Sequence, residues 1–117
     1  MTQPNQRQAS ISSTGKFKLD VKIEQQTTNP KYKGALVWKV CISDRNGKLV
    51  YKDEDSEFVA NLKIYWGWDD REQVWVYNSD DGKIWRWNLK TDKWRKIESR
   101  KSDGIPDFIL PNYAKTP

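Results

Sequence analysis

Acidic side chains are the residues of this sequence best suited to catalysis. They occur as the pairs Asp69-Asp70 and Asp80-Asp81, and in the run Asp53 to Glu57. A glycoside hydrolase needs two carboxyl groups about 5–9.5 Å apart across a cleft, one of them in an apolar pocket. These acids instead lie beside Gly, Asn or Arg in stretches typical of turns, where Asp is favoured by turn geometry alone. The acids therefore indicate turns rather than a catalytic pair.

Nucleophilic and metal-binding side chains are scarce. The chain has no histidine and a single cysteine, Cys41. Ser-His-Asp sites, Cys-His sites and His-based zinc sites are therefore excluded. Cys41 lies in an apolar segment, and we expect a buried, inert thiol. Two oxygen-rich turns, Asp44 to Gly47 and Asp80 to Gly82, lack the twelve-residue pattern of a calcium loop with its terminal Glu. The sequence predicts no enzyme, no cofactor and no metal site.

Aromatic side chains are concentrated in the second half of the chain. Of the 7 tryptophans, six lie between Trp66 and Trp94, with Tyr77 among them. Each large ring buries about 150–250 Å², which is more than one sheet face can cover here. Trp, Tyr and Arg are also enriched at binding hot spots. The candidate binding residues are Trp75, Tyr77, Trp85, Trp87 and Arg86, with Trp68, Lys63 and Tyr65 beside them.

A β-hairpin predicted over residues 74–89 decides how these rings are arranged. Runs of β-branched and aromatic residues flank an Asp-Asp-Gly turn. A two-residue loop would place Val76 opposite Trp87, whereas a three-residue loop would place Trp75 there. We favour the three-residue loop, because directly opposed aromatic pairs add about 0.2–1 kcal/mol each. This register also pairs Tyr77 with Trp85 and gathers four rings on one face.

Three interpretations of the aromatic surplus remain open. In the first, all rings belong to the core and have no binding role. In the second, part of the set is exposed and contacts a protein partner, a second copy of the chain or a carbohydrate, with Arg86 as polar anchor. In the third, the rings stack on single-stranded nucleic acid while Arg86 and Lys63 meet phosphates. Interspersed acids weaken phosphate attraction, so we expect a non-catalytic module that binds a protein or self-associates.

Length and composition are those of one small domain. The chain has 117 residues, a net charge of +5 and a sequence pI of about 9.3. Residues 1–15 are polar, with one Ile, and are expected to form a flexible tail before a single β domain over 16–117. No apolar run reaches the ~20 residues of a membrane span, and residues 1–15 contain no signal peptide. The sequence does not indicate in which cellular compartment the protein is found.

Alternating apolar residues predict the strands. Strands are expected over residues 16–24, 35–42, 48–52, 58–68 and 94–98, in addition to the hairpin. The segment from Ser99 to Pro117 contains Pro106, Pro111 and Pro117, which bar a long helix or a central strand. One helical turn starting at Pro106, packed on a sheet, fits best. About seven strands result, which predicts an all-β antiparallel meander closed as a small barrel or folded as a sandwich.

Overall fold

The protein is built from two antiparallel β-sheets. The computed structural model describes residues 10–115, and within this range each sheet has four strands that pair in chain order. The first sheet contains β1 (Ser10–Ile11), β2 (Phe17–Gln25), β3 (Leu36–Asp44) and β4 (Leu49–Lys52). The second contains β5 (Ile64–Trp68), β6 (Val74–Asn78), β7 (Ile84–Lys90) and β8 (Lys93–Ser99). The predicted all-β antiparallel class is confirmed, as two four-stranded meanders rather than one of about seven strands, and among the described strands no closed barrel forms.

Two sequence predictions differ from the observed strands. The long strand expected over residues 58–68 is wrong, because the segment before Ile64 forms a turn that Leu62 N closes on Val59 O at 2.9 Å. That segment contacts the first sheet through a β-bridge between Val37 and Val59 and through a hydrogen bond from Trp38 Nε1 to Leu62 O at 3.3 Å. Residues 10–15, expected in the polar tail, begin with β1, which pairs with β2. The remainder of that tail, residues 1–9, lies outside the described residues.

One apolar cluster joins the two sheets. The strand register places inward-facing residues of the first sheet, such as Leu19 opposite Ile42, in a common core with residues of the second. The fully buried side chains stabilise the fold by about 1.5–3 kcal/mol each. The buried members of this apolar cluster are Leu19, Val40, Ile42, Phe58, Ile64, Trp66, Trp68, Val74, Val76 and Trp87.

A second apolar cluster lies on the other face of the second sheet. It packs Trp75, Tyr77 and Ile84 beneath residues 105–114, which we call the C-terminal cover. The cover contains a 3-10 turn (Asp107–Ile109) that follows Pro106, as predicted, and the start of a short helix, α1 (Asn112–Lys115). Gly67 permits this contact, because a Cβ at that position would lie 3.1 Å from Phe108 Cε2. In the described part of the chain, no helix is long and apolar enough to cross a bilayer.

The β6–β7 hairpin has a four-residue loop, and both registers considered from the sequence are wrong. Asn78 N donates to Lys83 O at 2.9 Å, and Gly82 N donates to Asn78 O at 2.8 Å. Gly82 has φ +77°, a conformation that L side chains rarely adopt. The pairing therefore places Trp85 opposite Val76 and Trp87 opposite Val74. The loop is one residue longer than expected, so the rings of β6 and β7 face opposite sides of the sheet.

Asp69 organises the neighbouring hairpin, between β5 and β6. Its Oδ1 accepts the backbone N–H groups of Arg71 and Gln73 at 2.8 and 2.9 Å. Its Oδ2 accepts Gln73 Nε2 at 2.7 Å and Trp75 Nε1 at 2.9 Å. Burial raises the pKa of this carboxyl, but the four donors outweigh it and hold the pKa of Asp69 below its ordinary value. The ionised carboxylate is thus part of the folded structure.

Replacement of Asp69 by Asn should lower the free energy of unfolding by about 2–3 kcal/mol at pH 7. The NH2 group of the amide would face N–H donors at a position where the carboxylate has an accepting oxygen. A lowered carboxyl pKa stabilises the fold above about pH 4, where the unfolded group titrates, and that stabilisation is lost on further acidification. The difference between parent and Asp69→Asn should therefore shrink by pH 3 in denaturant titrations. Asp70→Asn, at the exposed neighbouring residue, is the control and should change stability by less than about 0.5 kcal/mol. An equal loss in both variants would contradict the role of Asp69.

Candidate functional site

The structure does not bring the eight candidate binding residues together on one face. Directly paired residues share a face, and the β6–β7 register pairs Trp75 with Arg86 and Tyr77 with Ile84. Trp75 and Tyr77 therefore lie on the side of the C-terminal cover, whereas Trp85 and Trp87 lie on the side of the first sheet. The expected single aromatic patch is a wrong prediction, and its cause is the longer loop.

The candidates on the covered face are mostly enclosed. Trp75 is fully buried and Tyr77 is buried. Tyr65 is half-buried and stacks on Tyr77, with ring centroids 6.3 Å apart. Arg86 is half-buried, and its Cζ lies 5.2 Å from the centroid of the Trp75 ring. The guanidinium of Arg86 therefore contacts the ring of a buried tryptophan and does not lie within an open aromatic face.

The candidates on the inner side differ in exposure. Trp87 is fully buried, and its Nε1 donates to the hydroxyl of Tyr51 at 3.1 Å. Burial raises the pKa of Tyr51 to about 12. Trp68 is also buried and donates to Ser10 O at 3.0 Å. Trp85 is half-buried, and Lys63 is exposed beside the β6–β7 loop, where its backbone N–H donates to Asp80. Trp85 is thus the candidate tryptophan that remains most open to contact.

Lys96 makes a cation–π contact with Trp85. Its ammonium lies 4.9 Å from the centroid of the Trp85 ring, 5.2 Å from that of Phe58 and 5.6 Å from that of Trp87. The same ammonium donates to Asp53 Oδ2 at 2.9 Å and to Glu57. Burial raises the pKa of Asp53 despite this partner. Lys96 lies on β8 of the second sheet, and both acids follow β4 of the first sheet. The contact therefore links the two sheets next to Trp85.

A groove of about 520 Å³ opens above this contact, and we call it the Trp85 groove. Its apolar lining comes from Tyr32 in the 3-10 turn Pro30–Tyr32, from Phe58, Val59 and Leu62 in the β4–β5 connection, and from Trp85. Ligand pockets commonly measure about 300–1,000 Å³ and are lined by apolar and aromatic residues with a few polar groups. The groove has that size and that lining.

The rim of the Trp85 groove carries both signs of charge. Lys31 and Lys83 contribute ammonium groups, and Asp80 and Asp81 contribute carboxylates. The two carboxylates accept backbone N–H groups, Asp80 from Lys63 at 3.0 Å and Asp81 from Lys83 at 2.8 Å. In the described part of the chain, none of these four side chains takes part in a salt bridge. Their charges are therefore available to a ligand.

The residues considered for catalysis have structural partners. Asp69 accepts four hydrogen bonds, Asp80 and Asp81 lie in the β6–β7 turn as expected, and Asp53 binds Lys96. Cys41 is buried, as predicted, and burial raises the pKa of its thiol. Within residues 10–115, no three His, Cys, Asp or Glu side chains come together as a possible metal site.

Sequence reasoning missed the loop residues of the groove. Tyr32 follows an Asn-Pro pair that predicts a turn, but its neighbours in space are set by long-range contacts. Gln26 Nε2 donates to Ser56 O at 2.7 Å and thereby joins the loop before Tyr32 to the connection that contains Phe58. Phe58 itself was expected in a strand. Hydrophobic periodicity has no signal for such a contact between loops.

Comparison of the chain with protein-family models, with curated proteins and with solved structures finds no match.

Replacement of Lys96 by Met should lower the free energy of unfolding by about 3–5 kcal/mol at neutral pH, because the buried carboxylate of Asp53 loses its cation. The pKa of Asp53 is already raised, and it should rise further in the variant. The loss should therefore shrink on acidification as Asp53 takes up a proton. Denaturant titration at pH 7 and pH 5 measures this.

Two further variants separate charge pairing from packing. Asp53→Asn combined with Lys96→Met should recover part of the lost stability, because no unpaired charge remains at that position. Lys93→Met, on the same strand but exposed, should have little effect. A Lys96→Met variant as stable as Lys93→Met would show that the contact beneath Trp85 contributes nothing.

Proposed function

We propose that this protein is a non-catalytic binding module whose Trp85 groove receives an extended segment of a partner polypeptide. The observation that carries the proposal is the combination of an apolar floor with a rim of unpaired charges of both signs. A polypeptide supplies apolar side chains together with positive and negative ones. An apolar or aromatic anchor residue would contact Trp85 and Tyr32, and its neighbours would meet the rim.

The charges of the groove favour a polypeptide over a nucleic acid. The carboxylates of Asp80 and Asp81 lie around the floor with the ammonium groups of Lys31 and Lys83, and a third carboxylate, that of Glu57, is bound by Lys96. A phosphate backbone passing through the groove would be repelled by these acids. Salt bridges at such a rim add specificity and speed of association more than affinity. Most of the affinity would come from the aromatic floor.

We also infer that the two sheets pack face to face as a small β-sandwich. The shared apolar cluster supports this arrangement, as does the contact of Lys96 with acids that follow the first sheet. In such a scaffold the loops at one end can be held in place without being part of a sheet. The walls of the Trp85 groove would be loops of this kind.

Selection of a displayed library of random twelve-residue peptides against the protein tests this proposal. The selected peptides should share one apolar or aromatic anchor flanked by residues of opposite charge, and their binding should change tryptophan fluorescence. Tyr32→Ala should weaken that binding at least tenfold, because truncation of an interface hot spot costs about 1–2 kcal/mol or more. Tyr113→Ala is the matched control, since Tyr113 is an exposed aromatic residue on the C-terminal cover, and it should bind as the parent does.

Three results would overturn the proposal. One is that no peptide is enriched over selection against an unrelated protein. Another is that the enriched peptides bind the Tyr32→Ala variant as tightly as the parent. The third is that maltohexaose or chitohexaose displaces the peptides, which would assign the groove to carbohydrate. Sedimentation of the parent at the working concentration shows whether the protein self-associates.

A further inference from the structure

The outward face of β7 and β8 is a strip of positive charge. Arg86 and Lys90 on β7 share this face with Lys93 and Arg95 on β8, because Lys90 pairs with Lys93 and Asn88 pairs with Arg95. No acidic residue of either strand lies on it, since Glu98 pairs with Trp85 on the opposite face. We call these four cations the basic strip.

The basic strip is open at three of its four cations, since Arg86 is half-buried. Lys90, Lys93 and Arg95 are exposed, and β8 is the edge of its sheet. The C-terminal cover packs on Trp75, Tyr77 and Ile84, and its Phe108 contacts Gly67 of β5. Among the described residues, none of the four cations forms a salt bridge. The Trp75 ring beneath Arg86 orients its guanidinium through a cation–π contact.

A concave site lies at one end of the strip. A groove of about 420 Å³ is lined by Lys90 and Arg95 of the strip together with Arg71 from the β5–β6 hairpin. One carboxylate, that of Glu72, also lines it and accepts Thr14 Oγ1 at 2.7 Å. Of these three cations, Arg71 has a carboxylate partner, since its Nη2 lies 3.9 Å from Asp69 Oδ2. Lys90 and Arg95 take part in no salt bridge within the described residues. The strip and the groove share Lys90 and Arg95 and so form one surface, whose recess is large enough for a phosphate group.

We propose that this surface binds the phosphodiester backbone of nucleic acid, independently of the Trp85 groove and of the function proposed for it. Alternate residues of a strand lie about 7 Å apart on one face, a separation comparable with that of successive phosphates along a nucleic-acid strand. Half-buried Ile97 is the apolar residue between the cations, and the rings of this sheet are turned away or covered. The surface would therefore contact phosphates rather than bases, and its binding would not depend on the nucleotide sequence.

Fluorescence anisotropy with a labelled 20-nucleotide single strand and a 20-base-pair duplex tests this assignment between 25 and 200 mM salt. About four phosphate contacts predict that log K falls against log salt with a slope of about −3 for the single strand and about −3.5 for the duplex. The comparison between the two probes shows which form is the ligand. The triple variant Lys90→Gln, Lys93→Gln and Arg95→Gln should reduce the slope by about 2–3 and weaken binding more than tenfold at 25 mM salt.

A second triple variant controls for net charge. Lys18→Gln, Lys33→Gln and Lys48→Gln remove the same three charges from exposed positions outside the second sheet, and this variant should keep most of the affinity. The proposal is overturned if the parent binds neither probe at 25 mM salt, or if both triple variants lose affinity equally. It is also overturned if poly-glutamate of matched charge competes as well as unlabelled oligonucleotide, which would assign the strip to acidic polypeptides. Urea titration of each variant confirms that it is folded.

Discussion

The length of one turn decides what each aromatic residue of the second sheet can do. Four residues between Asn78 and Lys83 set the β6–β7 pairing. A loop shorter by one residue would move one strand's side chains to the other face of the sheet. The observed register instead divides the rings into an inner layer against the first sheet and an outer layer against the C-terminal cover. The partial exposure of Trp85 follows from that division.

Covering both faces of the second sheet is how a chain with few apolar residues gains a sufficient core. Only 36% of the residues are hydrophobic, but 13% are aromatic, and large rings bury much area per residue. The outer layer depends on a close backbone contact at Gly67 and on the Asp69 carboxylate, which fixes the Trp75 indole by a hydrogen bond. The inner layer depends on Lys96. Each layer therefore contains one charged group that is stabilised by several specific partners.

Local pattern predicted much of the fold and little of the site. The alternation over β2 and β3, the turn after Asp44 and the helical turn after Pro106 are local features, and the structure confirms them. The alternating apolar segment before Ile64 is predicted as a strand, but its backbone forms hydrogen bonds to Leu36 and within its own turn, which no local pattern indicates. Tyr32 and Phe58 line the same groove, and the loops that contain them are joined by the hydrogen bond from Gln26 to Ser56, 30 positions apart in the chain. The predicted register of the β6–β7 hairpin is wrong for a related reason, since loops of several lengths fit the same Asp-Asp-Gly sequence.

The cations along β8 have a consequence for the behaviour of the protein at high concentration. A strand at the border of a sheet presents unpaired amide and carbonyl groups that can capture the same strand of another molecule. Lys and Arg side chains on such a strand, here Lys93 and Arg95, hinder this pairing, because the positive charges of a second copy would be brought close to their own. The same residues that give this border its positive potential therefore discourage the stacking of molecules into extended ribbons.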